Sequence, residues 1–199
     1  MRKAIHNFHP LILVTEGQYR KGEAVFARPP GGWTCRSAPS DEPLLAEEVR
    51  RARPFAVIVG VEPYRGPLYE ALPRGGVIAR FGVGHDGIDK TLATARGLFC
   101  TNTPGVLEDS VAEYTLALLL AAARGLVGAD RAMRRGDWKP VMGLELRGKT
   151  LAVIGCGQIG GRVARMASVG FGMRVIGCRR RVEKALDFCQ QWGIERVTR

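Results

Sequence analysis

The sequence predicts an α/β protein built on parallel sheets, and three observations carry that expectation. Short apolar runs such as Phe55-Ala56-Val57-Ile58-Val59 and Leu151-Ala152-Val153-Ile154 read as strands buried in a parallel sheet. Segments of helical periodicity alternate with them, as a parallel sheet with crossover helices requires. Glycine-dense turns follow the apolar runs directly, at Gly82-Val83-Gly84 and at Gly155-Cys156-Gly157. In open parallel sheets ligands bind outside the carboxyl ends of the strands, where such turns lie.

Leu11 to Val14 is the first strand. Residues 15–32 are rich in Gly, Pro and charge and read as loop. Asp41 to Arg51 reads as a helix, with acids in its first turn and arginines in its last, as the helix dipole prefers. Phe55 to Val59 is the second strand, and Gly60-Val61-Glu62-Pro63 is the loop at its carboxyl end. Gly76 to Phe81 is the third strand, followed by the loop from Gly82 to Asp89. Asp89 is placed to cap a helix over Lys90 to Arg96, which Gly97 ends. Leu98 to Thr101 is the fourth strand.

Thr103-Pro104-Gly105 marks a break, and the chain divides there into residues 1–102 and 103–199. Ser110 and Glu113 have the spacing of a capping box opening a helix over Val111 to Arg124. That helix is apolar nearly all round, a pattern that belongs between domains or subunits. A second helix over Val127 to Arg135 stops at Gly136. Leu151 to Ile154 is a strand, and a helix carrying Ile159, Val163, Met166 and Ala167 on one face follows it. Gly170-Phe171-Gly172 ends that helix, and Met173 to Cys178 is the next strand. Val182 to Trp192 reads as helix and Gly193 to Val197 as a further strand.

Gly155-Cys156-Gly157-Gln158-Ile159-Gly160 fits G-x-G-x-x-G between a strand and a helix, inside a unit of about 30 residues, which is the context of a dinucleotide-binding turn. Gly155 allows the tight turn, Gly157 lets a pyrophosphate approach the backbone, and Gly160 lets helix and strand pack closely. The free N–H groups of the first helical turn then face the phosphates. An NAD site places an acid about 20 residues beyond the glycines to bond the ribose 2′-hydroxyl. Here Cys178 is followed by Arg179, Arg180 and Arg181, with no acid before Glu183. An arginine fork pairs with a 2′-phosphate, which favours NADP over NAD. The plain alternative is a solvated strand end, which leaves the preference open.

The chain has 199 residues and a formal charge of +11, from 30 Lys and Arg against 19 Asp and Glu. The positive charges are scattered, whereas a nucleic-acid surface gathers them on one face, so nucleic acid is not an expected partner. The five cysteines form no C-x-x-C and no Cys/His cluster, so neither a disulfide framework nor a metal site is expected. The apolar run near the N-terminus is too short for a secretory signal. Tyr114 to Ala123 falls short of the roughly 20 residues that span a bilayer. A cytoplasmic protein without membrane contact is the expectation.

Several motifs then occur in a fixed order: RFGVGHDGIDKTLATARGLFCTNTPG, EDSVAEYTLALLLAAARGL, GDW, and ELRGKTLAVIGCGQIGGRVARMA. Together they resemble the D-isomer-specific 2-hydroxyacid dehydrogenase family, from about Val57 to Arg179. The resemblance implies a flavodoxin-like substrate domain followed by the first half of a Rossmann dinucleotide-binding domain. It implies reduction of 2-keto acids, or oxidation of D-2-hydroxy acids, with NADP or NAD. Backbone N–H groups of Val83 and Gly84 would hold the substrate carboxylate. Val83 and Thr115 would border the cofactor, and Gln158 and Ile159 would present the helix N-terminus to the pyrophosphate. Arg179 stands where the family has an Asp, a feature of its NADPH-using members that act on glyoxylate or hydroxypyruvate. A homodimer through the 111–124 helix is implied as well.

The resemblance also places the family's catalytic Arg, Glu and acid–base His later than Arg199, so no catalytic residue is expected within this chain. His6, His9 and His85 lie in the wrong part of it. About three of six Rossmann strands are expected, with an apolar edge left uncovered. Three readings stay open: the N-terminal portion of a reductase, an NADP(H)-binding or interaction module without chemistry, and a non-functional remnant.

Overall fold

The computed structural model describes residues 10–178, 185–192, 194 and 196–198. The chain divides into two compact units, Met1–Gly105 and Val106–Arg199.

The first unit is a parallel sheet of five described strands: β1 (Leu11–Thr15), β2 (Thr34–Ala38), β3 (Ala56–Val59), β4 (Val77–Arg80) and β5 (Phe99–Thr101), in the order β2-β1-β3-β4-β5. Leu13, Val57 and Ile78 are fully buried and pack with Leu45 and Val49 of helix α3 (Glu42–Ala52) and Leu68 of α4 (Pro67–Ala71). Asp41 caps α3 by accepting from the Leu44 N–H. The Glu42 carboxylate accepts from the Arg65, Gly66 and Leu68 N–H groups and so ties the start of α4 to α3. Asp89 caps α5 (Lys90–Ala95) by accepting from Thr91 and Leu92.

Four elements of this unit depart from the sequence reading. Residues 15–32 are not a plain loop, because α1 (Glu16–Lys21) and α2 (Glu23–Phe26) form there, hinged at Gly22. Phe26 is buried and stacks on Tyr19 at 5.8 Å, which fixes both short helices on the sheet. Strand β2 is a fifth strand, and it runs in register with β1 from Leu11↔Thr34 to Thr15↔Ala38. Its residues are polar and mostly exposed because it lies at the sheet edge, so it carries no apolar signature. Helix α4 is a single turn that opens on Pro67 and is held by Glu42 from a distant part of the chain.

The second unit opens with α6 (Glu108–Ala123) and α7 (Leu126–Arg134). Its described strands β6 (Thr150–Ile154), β7 (Arg174–Cys178) and β8 (Arg196–Thr198) are parallel, in that order. Helix α8 (Gln158–Arg165) follows β6 and continues into a π turn, Met166–Gly170. Helix α9 (Ala185–Trp192) precedes β8. Ala112 and Leu116 of α6, Val163 and Ala164 of α8, Val175 of β7 and Trp192 of α9 share one buried cluster.

Here too the structure corrects the sequence. Helix α6 starts at Glu108, two residues before Ser110, and Leu107 at its N-cap makes no side-chain bond. The capping box therefore does not form, and Glu108 instead accepts from the Leu107 N–H. Only the Ala112–Leu116 side of α6 is buried, while Tyr114 and Leu118 are exposed. Strand β6 is covered on one face rather than two: Leu151 and Val153 are half-buried and Ile154 is 87% exposed. The last strand is described at Arg196–Thr198, and residue 193, where the sequence reading starts it, lies outside the described residues. Among the described residues no single helix is long and apolar enough to cross a membrane.

Candidate functional site

In the second unit, the turn after β6 is shaped by its glycines. Gly155 has φ +99°, a conformation that side chains resist. Its N–H and that of Cys156 both donate to the Cys178 carbonyl, at 3.0 and 3.2 Å, which ties the turn to the end of β7. Gly157 is the N-cap of α8, and a Cβ there would meet no atom within 4 Å. Gly160 is the opposite case, since a Cβ would stand 2.4 Å from the Gly155 carbonyl oxygen. The N–H groups of Gln158, Ile159 and Gly160 have no acceptor among the described residues. Open space at one glycine, close packing at another and free donors at a helix start fit a pyrophosphate. One glycine beyond the motif is also fixed by packing: a Cβ at Gly161 would stand 2.6 Å from the Trp192 ring. The Arg162 guanidinium lies over that ring at 5.6 Å and also pairs with Asp109 of α6.

In the first unit, the loop after β4 is tied back carbonyl by carbonyl. Arg80 donates through Nη1 to the Phe81 oxygen. The Thr103 N–H donates to the Gly82 oxygen at 3.0 Å. The Asn102 side chain donates through Nδ2 to the Val83 oxygen at 2.8 Å. Among the described residues, the Val83 and Gly84 N–H groups have no acceptor. Two adjacent free donors of this kind can hold a carboxylate.

Farther along, the same loop is anchored by tyrosines. The Tyr64 N–H donates to the Gly87 oxygen at 2.8 Å. The Tyr69 hydroxyl donates to the Tyr64 oxygen and accepts from the Asp89 N–H. Burial pushes the Tyr69 phenol up to about 12, against the opposing pull of the Asp89 hydrogen bond. Burial, with the Glu62 and Glu42 charges, pushes Tyr64 upward as well. Among the described residues, Glu62 Oε2 and Arg80 Nε are buried without a hydrogen-bond partner.

The residues singled out from sequence thus fall into two groups. Val83 and Gly84 belong to the first unit; Thr115, Gly155, Gly157, Gln158, Ile159 and Gly160 belong to the second. The Thr115 hydroxyl donates to the Val111 oxygen at 2.7 Å on α6. Arg179 and Arg180, and also His6 and His9, lie outside the described residues. His85 is exposed and lines a cavity of about 190 Å³ with Lys90, Cys100 and Asn102. Asn102 and Arg80 act here without having been picked out from sequence. The one available signal was their place at the carboxyl ends of β5 and β4.

Residues 116–198 match the family model described as "D-isomer specific 2-hydroxyacid dehydrogenase, NAD binding domain". The glyoxylate reductase of Korarchaeum cryptofilum is 40% identical over 169 residues, covering 80% of this chain and 49% of the relative. The glyoxylate reductase of Aeropyrum pernix is 46% identical over 132 residues, covering 60% of this chain and 39% of the relative. Among solved structures, the NADPH-dependent glyoxylate/hydroxypyruvate reductase of Sinorhizobium meliloti, in complex with NADP and malonate, has a TM-score of 0.74 at 31% identity. That match covers 94% of this chain and 57% of the other. The chain spans about half the length of the curated relatives it matches. Strand order, glycine turn and matched sequence agree: the chain belongs to the D-isomer-specific 2-hydroxyacid dehydrogenase family.

Proposed function

We propose that this chain supplies the carboxylate-binding loop and part of the nucleotide site of a cytoplasmic 2-keto acid reductase that prefers NADPH. Glyoxylate and hydroxypyruvate are the favoured substrates, as the names of the similar proteins suggest. The observation that carries the reading is the turn at 155–160, where Gly157 is open and the helix donors beside it are free. Val83 and Gly84 hold the carboxylate of the acid and fix which face of its keto carbon is presented. Gln158 and Ile159 take the pyrophosphate charge at the start of α8. Thr115 borders the cofactor between its phosphate and its ring. Arg179 and Arg180 pair with the 2′-phosphate, and this pairing is the basis for preferring NADP. The nicotinamide supplies the hydride when bound.

A homodimer through the 111–124 helix is part of the proposal. Tyr114, Leu118, Leu126 and Trp138 are each more than half exposed, and all belong to the second unit, as an apolar pairing surface requires.

Fluorescence titration of the 199-residue chain with NADPH and NADH tests the nucleotide assignment. Tighter binding of NADPH by about tenfold or more is expected, with Arg179→Asp reversing the order. Equal affinities would overturn the NADP preference, and absence of binding would overturn the nucleotide site. Turnover is expected only of a longer product that carries the family's Arg, Glu and His, so glyoxylate reduction by such a product, set against binding without turnover in it, separates a reductase from a binding module.

A further inference from the structure

We infer that Asn102 is the positioning residue of the carboxylate loop: its side-chain amide holds the Val83 carbonyl inward, so that the Gly84 N–H is turned outward to meet a ligand. The inference rests on the reading of Val83 and Gly84 as the carboxylate-binding donors. In a trans peptide the C=O of one residue and the N–H of the next point in opposite directions. Whatever fixes a carbonyl on one side of the loop therefore fixes the following N–H on the other. The Thr103 N–H fixes the Gly82 carbonyl at 3.0 Å and with it the outward direction of the Val83 N–H. Asn102 Nδ2 fixes the Val83 carbonyl at 2.8 Å and with it the direction of the Gly84 N–H. The two donors are thus set side by side by two consecutive residues at the end of β5.

The loop needs this support. Gly82 has φ +140°, and Gly84 meets no atom within 4 Å at its Cβ position, so its own packing restricts the backbone little. Thr103 acts through its main chain and is insensitive to its side chain, whereas Asn102 acts through its side chain alone. The residue type follows from the task. A carbonyl needs a donor, which Asn offers and an ionised Asp does not. A leucine of similar volume would leave the Val83 oxygen without its partner. Preset donors bind an anion without first being ordered, so losing the clamp weakens the anion's affinity.

The test uses the ¹⁵N-labelled 199-residue chain and oxamate, an unreactive analogue of a 2-keto acid. In the unmodified chain the Val83 and Gly84 amide resonances are expected to move saturably with oxamate. One side-chain amide proton of Asn102 is expected to be protected from exchange. In Asn102→Leu the Gly84 nitrogen resonance is expected to move before any ligand is added, because it reports the bond to the preceding carbonyl. Oxamate affinity is then expected to fall about tenfold while signals from β1 and β3 stay in place. Asn102→Asp is expected to weaken binding at least as much. Oxamate binding within twofold of the unmodified chain in either folded variant would overturn the inference while leaving the carboxylate reading intact. An unprotected Asn102 amide in the unmodified chain would overturn it without any variant. No shift at Val83 and Gly84 in the unmodified chain would remove the carboxylate reading itself, and the inference with it.

Discussion

Gly157 and Gly160 belong to one motif yet answer to opposite constraints, and they separate binding from folding experimentally. A methyl at 160 would stand 2.4 Å from the Gly155 carbonyl oxygen, so the helix must move off the turn. Gly160→Ala is expected to cost about 1–3 kcal/mol of stability and nucleotide binding together. A methyl at 157 meets no protein atom within 4 Å, and the backbone there is extended at φ −96° and ψ −157°. Gly157→Ala is expected to leave stability within about 0.5 kcal/mol while weakening NADPH binding about tenfold or more. Thermal melts paired with nucleotide titration check both. At this scale the sequence is legible where residue type alone states the need, as at these glycines. It is silent where a side chain works through another residue's carbonyl. Nothing in the spacing between Asn102 and Val83, or between Arg80 and Phe81, announces that they pair.

Among the elements, those with a continuous apolar face were readable: β1, β3, β4, α3 and α5 lie close to where their sequence patterns put them. The four that escaped share a cause. β2 is a polar edge strand whose partner is β1, and α4 is one turn capped by Glu42 from another helix. α1 and α2 are held by the sheet beneath Phe26 rather than by their own propensity. Their stability is tertiary, so local patterns do not report it. The link between α4 and the loop before α5 yields a pH prediction. The Tyr69 phenol rises from 10.0 to about 12 through burial, so the folded chain holds its proton more tightly than the unfolded chain does. That contribution is fully present below about pH 10 and is lost as pH climbs toward 12. Tyr69→Phe removes the bonds to Asp89 and Tyr64 and is expected to cost about 1–3 kcal/mol near neutral pH. It is also expected to flatten the alkaline decline. Urea denaturation across pH 8 to 12, with the unmodified chain alongside, checks both, and an unchanged alkaline slope would contradict the assignment.

For the whole molecule, alternation of strand and helix makes the α/β class and the parallel pairing plain, whereas the order β2-β1-β3-β4-β5 is seen only in the structure. One-sided burial was hidden, because an apolar run such as Leu151 to Ile154 looks the same whether one face or both are covered. The exposed apolar residues of the second unit give the prediction at this scale. Leu118→Glu is expected to shift the protein from dimer to monomer in sedimentation velocity, with the far-ultraviolet spectrum unchanged. A monomeric unmodified chain would overturn the dimer. The separation of the two loops has a consequence of another kind. The tied-back loop at 80–103 and the glycine turn at 155–161 are each built on the sheet of a single unit with its own buried cluster. Under the proposed function, the groups that hold the acid and those that hold the pyrophosphate can therefore vary independently between related chains. A chimera joined at Gly105 to a related chain is expected to inherit the carboxylate loop from one parent and the glycine turn from the other.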